Sequence, residues 1–364
     1  MFNKMINKKI TLCLIISALL TPSILFAQKA SELRYIDAQE LMLINKGFND
    51  TELYYSRLPM DMKGNIRKAV WDLGLNSAGL AIRFSSDSKC IGAKWTLLNN
   101  FSMSHMPGTG IRGMDLYTLE DGQWRFIGTA QPNGKESSNV FVRRMDGSRR
   151  EYMVYLPLYD GVTKVEIGID STAIISLPKD KSLTKNAKKP IVFYGTSITQ
   201  GGCASRPGMT YAAIIGRKLQ QETINLGFSG NARMDMLMAE AIEKIDAQSY
   251  FIDCIPNCTI QILKDSAYNF IKYLAGKRSD TPIYMVENVI FPPSIVDVKT
   301  AADLKQENEY WADLYKRLRK EGYKNIRYIS SKGLIGDDGE ATVDGCHFTD
   351  LGFMRMAKGL MKKM

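Results

Sequence analysis

From Ala78 to Asp170 apolar residues recur at every second position: Leu80, Ile82 and Phe84 in one run, Tyr152, Val154 and Leu156 in another, Val165, Ile167 and Ile169 in a third. A period of two places such residues on one face of a strand. The pairs Asp121-Gly122 and Asp160-Gly161 separate runs of this kind, and residues of those types accept the backbone angles of tight turns, so antiparallel hairpins are expected. Antiparallel sheets with one apolar face must bury it. Residues 28–178 are therefore expected to form a β-sandwich.

After Pro190 the pattern changes. Short apolar runs at Ile191–Tyr194, Thr223–Leu226, Tyr250–Cys254, Pro282–Val286 and Ile326–Ile329 read as buried strands. Helical spacing occupies Thr210–Gln221, Met234–Ile245, Ser266–Gly276 and Ala301–Glu321, with a further helix after Thr349. Strand and helix in alternation predict an α/β domain over residues 190–364, a parallel sheet with helices on both faces. The lysine-rich stretch 179–189 reads as a linker between the two halves. There is no internal repeat and no low-complexity segment.

The first residues follow a different rule. Lys4, Lys8 and Lys9 precede the apolar run Ile10–Leu20, Pro22 and Ser23 break it, and Ala27 offers a cleavage point. Residues 1–27 thus have the pattern of a signal peptide. The run is short for a bilayer span, and Cys13 lies inside it, which argues against a lipid-modified terminus. The mature chain is expected to be exported, to the periplasm or beyond the cell, with no stable membrane association. Cleavage removes three lysines and lowers the formal charge from +10 to +7. Export makes nucleic acid the weakest of the partners a basic surface suits. Five cysteines remain, Cys90, Cys203, Cys254, Cys258 and Cys346, and an odd count leaves at least one thiol outside any internal pairing. Cys254 and Cys258 have the spacing of a metal pair, but no second Cys/His pair accompanies them.

Candidate chemistry centres on Ser197, in Gly195-Thr196-Ser197-Ile198-Thr199-Gln200-Gly201, on the turn leaving the first parallel strand. Ligands of α/β sheets bind at such strand ends. A serine is a weak nucleophile until a base takes its proton. The chain has two histidines, His105 and His347, and only His347 shares the half containing Ser197. Asp344, three residues upstream, can orient its ring. An acyl transfer also needs donors for the developing oxyanion. The Ser197 amide, the segment Asn225–Asn231 with its glycines, and the Asn257 carboxamide all lie after strands. Ser229 is a rival nucleophile, but an α/β-hydrolase elbow requires glycine where this chain has Asn231.

These residues resemble the SGNH (GDSL-like) hydrolases, whose four sequence blocks supply Ser, Gly, Asn and His. Ser197, Gly230, Asn257 and His347 match in order, and Asp344 completes Asp-x-x-His. Upstream, Gly113-Met114-Asp115-Leu116-Tyr117 resembles the GxDLY signature of a small β domain that precedes the catalytic domain in some bacterial members. The resemblance implies a flavodoxin-like sheet and a metal-free, cofactor-free serine esterase. Its triad would be Ser197, His347 and Asp344, with Ser197, Gly230 and Asn257 as the oxyanion hole. Thr196 replaces the family's usual aspartate, and Phe348 stands where proline is common, at the expected lip of the cleft. The implied substrate is a short acyl ester, acetyl above all, on a carbohydrate or small molecule. The alternatives are a lipid-directed esterase such as a lysophospholipase, and an inactive glycan-binding protein.

Two spatial expectations follow. Cys203 and Cys346 should lie near each other beside the Ser197–His347 pair, close enough to raise the question of a disulfide. The segment Ser104–Tyr117 should pack against the catalytic half near the cleft, with His105 and Arg112 as candidate substrate contacts and Asp115 and Tyr117 in structural roles.

Overall fold

The structure is a computed structural model that describes residues 32–179 and 188–364. The expected signal peptide and nearly all of the expected linker lie outside these residues. In chain order the first half contains β1 (Arg34–Asp37), β2 (Met42–Ile44), β3 (Ala81–Ser86), β4 (Ile91–Leu97) and β5 (Met114–Glu120). These are followed by β6 (Gln123–Ala130), β7 (Glu136–Val142), β8 (Arg150–Tyr155), β9 (Val162–Ile169) and β10 (Ile175–Ser176). They form two antiparallel sheets, β1-β9-β4-β7 and β10-β3-β8-β5-β6, with β2 also paired to β3. The residues singled out by the two-residue period line the space between the sheets. Leu80, Ile82, Phe84, Tyr152, Val154, Leu156, Val165, Ile167 and Ile169 share one buried cluster with Trp95 and Leu116. This is a β-sandwich.

Of the two expected hairpin turns, one forms. Asp121 and Gly122 both have positive φ, 51° and 71°, and Glu120 pairs with Gln123 across them, a two-residue turn whose twist suits adjacent strands. Asp160-Gly161 instead lies on a crossover, since β8 pairs with β3 and β5 whereas β9 pairs with β1 and β4. Asp160 is fully buried and accepts the amides of Asn99 and Asn100 at 2.9 and 2.6 Å. A capping aspartate before glycine serves a sheet-to-sheet crossing as well as a hairpin.

The second half is built on β11 (Ile191–Gly195), β12 (Thr223–Gly227), β13 (Ser249–Asp253), β14 (Ile283–Val286) and β15 (Ile326–Ile329). All pair in parallel, in the order β12-β11-β13-β14-β15, which is the flavodoxin-like order with its switch point beside β11. Both faces are covered, as parallel sheets require. Val192 and Tyr194 pack towards one group of helices, while Ile191 and Phe193 pack towards Tyr211–Leu219 and Asp350–Met361. The helices expected from spacing are present within a few residues: Tyr211–Leu219, Met236–Glu243, Tyr268–Lys277, Val298–Lys320 and Asp350–Met361. Thr210 and Thr349 cap two of them, accepting the amides of Ala213 and Gly352.

The two halves share surfaces that the periodicity did not reveal. Between β2 and β3 the chain crosses to the parallel sheet, where Leu58, Met62, Ile66, Val70 and Trp71 join the core of Tyr194, Leu226 and Phe228. The outer face of the second antiparallel sheet is also covered, with Ala81, Tyr117, Met153 and Tyr155 clustering around Ala213. Burying an apolar side chain is worth about 1.5–3 kcal/mol. Five of them therefore rival the whole net stability of a domain, about 5–15 kcal/mol. We accordingly expect a fragment beginning at Lys189 to lack a cooperative thermal transition, where the intact chain shows one. A sharp calorimetric melt from the fragment would contradict this.

Candidate active site

β11 ends at Gly195, where a Cβ would meet Thr199 Oγ1 at 2.0 Å and the Asp253 carbonyl at 2.5 Å; only glycine lets these neighbours approach so closely. Thr196 follows with its hydroxyl accepting the Ile198 amide at 3.2 Å. It is the cap of the one-turn helix Ser197–Gln200, and this short acceptor serves where the family commonly has aspartate. Ser197 begins that turn and is only 6% exposed.

His347 arrives from the far end of the chain on a narrow loop. The Val343 amide donates to the His347 carbonyl at 2.8 Å, and Thr342 bridges Phe348. Phe348 is fully buried and meets Phe353 edge-on with ring centroids 5.4 Å apart. It anchors the loop from within the core, so it does not shape the lip of the cleft. Ser197 Oγ stands 2.9 Å from His347 Nε2, and His347 Nδ1 stands 2.7 Å from Asp344 Oδ2. The other carboxylate oxygen accepts the amides of Cys346 and His347 at 3.0 and 2.8 Å. Partial burial alone would raise the Asp344 pKa, but these hydrogen bonds outweigh it and hold the group down at about 2. The carboxylate is therefore charged at any ordinary assay pH and matches an Nδ1–H donor.

Gly230 and Asn257 come from the strands flanking β11. Gly230 has φ of +68° in the turn closed by the Asn231 amide on the Phe228 carbonyl at 2.9 Å. Asn257 ends the 3-10 turn after β13, and its Oδ1 accepts the Ala232 amide at 3.2 Å. That contact joins the two loops and leaves the carboxamide NH₂ as a donor. Ser229 is not placed against a histidine; its amide donates to Gln200 Oε1 at 3.0 Å.

Several residues that support the site gave no signal in the sequence. Tyr159, from the sandwich half, donates to the Ser197 carbonyl at 3.1 Å. Gln200 links the halves, its NH₂ donating to the Leu158 carbonyl at 3.0 Å. Arg57 is buried, with its guanidinium on the carbonyls of Leu73, Asn76, Asn225 and Gly227 at 2.7–3.0 Å. Burial lowers its pKa to about 9, which still leaves it protonated at neutral pH. It fixes the end of β12 from which the Gly230 loop departs. Beneath Ser197, the Tyr211 hydroxyl bridges Thr199 Oγ1 at 2.7 Å and Asp253 Oδ2 at 2.9 Å. Burial pushes the Asp253 carboxyl up to about 6 against those bonds. Of these residues, Thr199 and Gln200 belong to the run Gly195–Gly201 that carries Ser197.

The segment Ser104–Tyr117 does pack on the catalytic half. The His105 ring lies 5.5 Å from that of His347, centroid to centroid. Gly110 lets the chain press against the Ala204 carbonyl, which a Cβ would meet at 2.2 Å. Asp115 is fully buried, pairs with Arg206 at 2.7 Å and accepts the Gly208 amide at 3.0 Å, and Tyr117 shares the same arginine. This clamp holds the loop that runs on from Ser197. Arg112 turns elsewhere, donating to Asn100 while its carbonyl accepts Trp95 Nε1 at 3.0 Å. Both of these partners belong to the sandwich half. Cys203 and Cys346 are both free thiols, close enough that a charge on Cys346 would act on Cys203. Burial, then the Asp344 charge, pushes them up to about 12 and about 11, so neither is a thiolate that competes with Ser197. Cys254 and Cys258 are also free, and the Cys258 thiol donates to the Cys254 carbonyl at 3.4 Å.

Residues 188–364 match the family model of the GDSL-like lipase/acylhydrolase family. Residues 33–175 match the GxDLY model, described as the N-terminus of the SGNH-hydrolase-type esterase. No curated protein matches the chain. Among solved structures, a protein of Bacteroides ovatus ATCC 8483 described as a GDSL-like lipase is 38% identical, with 90% of this chain and 96% of that one covered and a TM-score of 0.86. The salicylyl-acyltransferase SsfX3 of a tetracycline biosynthetic pathway is 15% identical, with coverage of 92% and 98% and a TM-score of 0.72. The acetyl xylan esterase Est2A of the rumen bacterium Butyrivibrio proteoclasticus is 10% identical, with coverage of 91% and 98% and a TM-score of 0.54. The last two show a shared fold.

Proposed function

Because the chain belongs to the GDSL-like lipase/acylhydrolase family, in its two-domain form with a GxDLY N-terminal domain, we propose that it is an exported serine esterase acting on short acyl esters, acetyl above all, carried by a carbohydrate. The observation that carries this reading is the continuous relay from Ser197 Oγ through the His347 ring to Asp344. Ser197 attacks the ester carbonyl and passes its proton to His347 Nε2, while Asp344 holds Nδ1–H and stabilises the imidazolium. The amides of Ser197 and Gly230 and the NH₂ of Asn257 receive the oxyanion. His347 then protonates the departing alkoxide. In the second half of the cycle it takes a proton from water, which releases the acid from Ser197. The low exposure of Ser197, with Tyr159 beneath it and His105 beside its base, suits a small acyl group and a polar leaving group. Export rests on the basic and apolar pattern of residues 1–27; among the described residues no helix is long and apolar enough to cross a membrane.

One observation favours the lipid-directed alternative. Ile295, Val296 and Val298 are 80–85% exposed, and a cavity of about 590 Å³ opens between Ile290–Ile295 and Ser331–Ala341. This apolar loop touches the triad loop, since a Cβ on Gly345 would meet Pro293 at 2.9 Å. A chain-length series separates the two readings. We expect kcat/KM for an acetyl ester to exceed that for an octanoyl ester by at least about tenfold, the discrimination that a single methylene can bring in a fitted pocket. We also expect acetate release from acetylated oligosaccharide. The opposite order of chain lengths would transfer the assignment to a lipid-directed esterase.

A further inference from the structure

Cys254 and Cys258, despite their spacing, are not where the fold gathers potential metal ligands among the described residues. Instead, the loop after Ser197, the triad loop and the Ser104–Tyr117 segment converge. There one potential ligand atom from each of His105, Cys203, Asp344 and His347 lies within 4.8 Å of every other. Two imidazoles, a thiol and a carboxylate make up the mixed N, S and O donor set that a borderline-soft divalent cation prefers. Around tetrahedral zinc, ligand atoms stand about 3.3–3.8 Å apart at ordinary Zn–N and Zn–S lengths. The set is thus slightly open. Its one solvent-facing imidazole, His105, stands on an exposed loop position and can swing inward to close it.

We propose that this cluster is an inhibitory binding site for zinc or a comparably thiophilic divalent cation, at which metal occupancy switches the esterase off. Binding converts the Cys203 thiol to a metal-bound thiolate and releases one proton to solvent. The His347 ring has two nitrogens, one committed to Ser197 and one to Asp344. Whichever of them the metal takes, one link of the relay is lost, so a bound metal and a working base exclude each other. The inhibitory half of this proposal rests on the esterase reading, whereas the binding half does not.

Cobalt(II) titration of the metal-free full chain tests binding without reference to turnover. We expect one equivalent to bind, with a thiolate-to-cobalt charge-transfer band in the near ultraviolet and displacement by zinc. Cys203→Ala should abolish the band, Cys346→Ala should keep it, and His105→Gln should weaken zinc binding. Losing a direct ligand should cost no less than losing a group that only orients one, about 10–100-fold in affinity. With a chromogenic acetate ester, zinc should inhibit the wild-type enzyme reversibly and a chelator should restore it. Cys203→Ala should turn over normally and resist zinc. No charge-transfer band, a band that survives in Cys203→Ala, or full activity with the site loaded would each overturn the proposal. A chain without activity on any ester would remove the esterase reading and leave the cobalt spectrum to decide the site.

Discussion

Ser197→Ala is expected to lower kcat by about 10⁴–10⁶-fold and leave the protein folded. A lone nucleophile removed from a triad takes the whole relay with it, so the loss approaches that of removing every member. What remains comes from the oxyanion donors and substrate binding. Stability should change by less than about 1 kcal/mol, the ordinary range for a substitution that neither opens a large cavity nor strands a buried charge. The Ser197 hydroxyl makes its one hydrogen bond among the described residues to His347. The bond from Tyr159 ends on the Ser197 backbone carbonyl, and the cap of its helix is Thr196; alanine leaves both intact. Thermal melts beside steady-state turnover of a chromogenic acetate would check the two halves of the expectation together. Near-normal turnover with an unchanged melt would move the nucleophile elsewhere, and Ser229 would be the first to test.

How far the sequence could be read depends on the range of each signal. A strand buried on one face writes itself every second residue, as Leu80–Phe84 and Val165–Ile169 do. A parallel strand buried on both faces appears as an unbroken apolar run, as Ile191–Tyr194 does. The pairing of Asp344 with His347 is legible because it spans three residues and one loop. Ser197 and His347 lie 150 residues apart, yet the choice was narrow, since the second half holds a single histidine. Arg57 and Tyr159 offered nothing comparable. Their partners are backbone carbonyls, 38 residues away for Tyr159 and from 16 to 170 residues away for Arg57, and a carbonyl leaves no mark on the sequence that predicts who will bind it. Asp160-Gly161 misled for a related reason: capping chemistry is local, whereas which sheet the next strand joins is decided by packing. Phe348 looked like a rim residue because it adjoins His347, but adjacent residues on so narrow a loop face opposite ways.

Asp344→Asn should lower kcat by about 10⁴-fold with little change in KM, the signature of an interaction needed in the transition state. The reason is directional. Oδ1 accepts the amides of Cys346 and His347, so an asparagine will keep its oxygen there and turn its NH₂ towards His347 Nδ1. Facing a donor, Nδ1 must become the acceptor, and the ring proton moves to Nε2. The nitrogen that should take the proton of Ser197 then already carries one. Stability offers a second readout whose sign is fixed. The carboxyl is held at about 2 in the folded protein, against an ordinary aspartate value of about 3.9. Its stabilising contribution is therefore complete above about pH 4 and disappears as the pH falls through about 2. Asparagine has no such dependence. Melts of the two proteins from pH 7 downward should show a gap in Tm that is constant at first and closes in strong acid. A gap independent of pH would show that the Asp344 carboxylate is not held by these hydrogen bonds. An unchanged kcat would show that His347 does not need Asp344 to choose its tautomer.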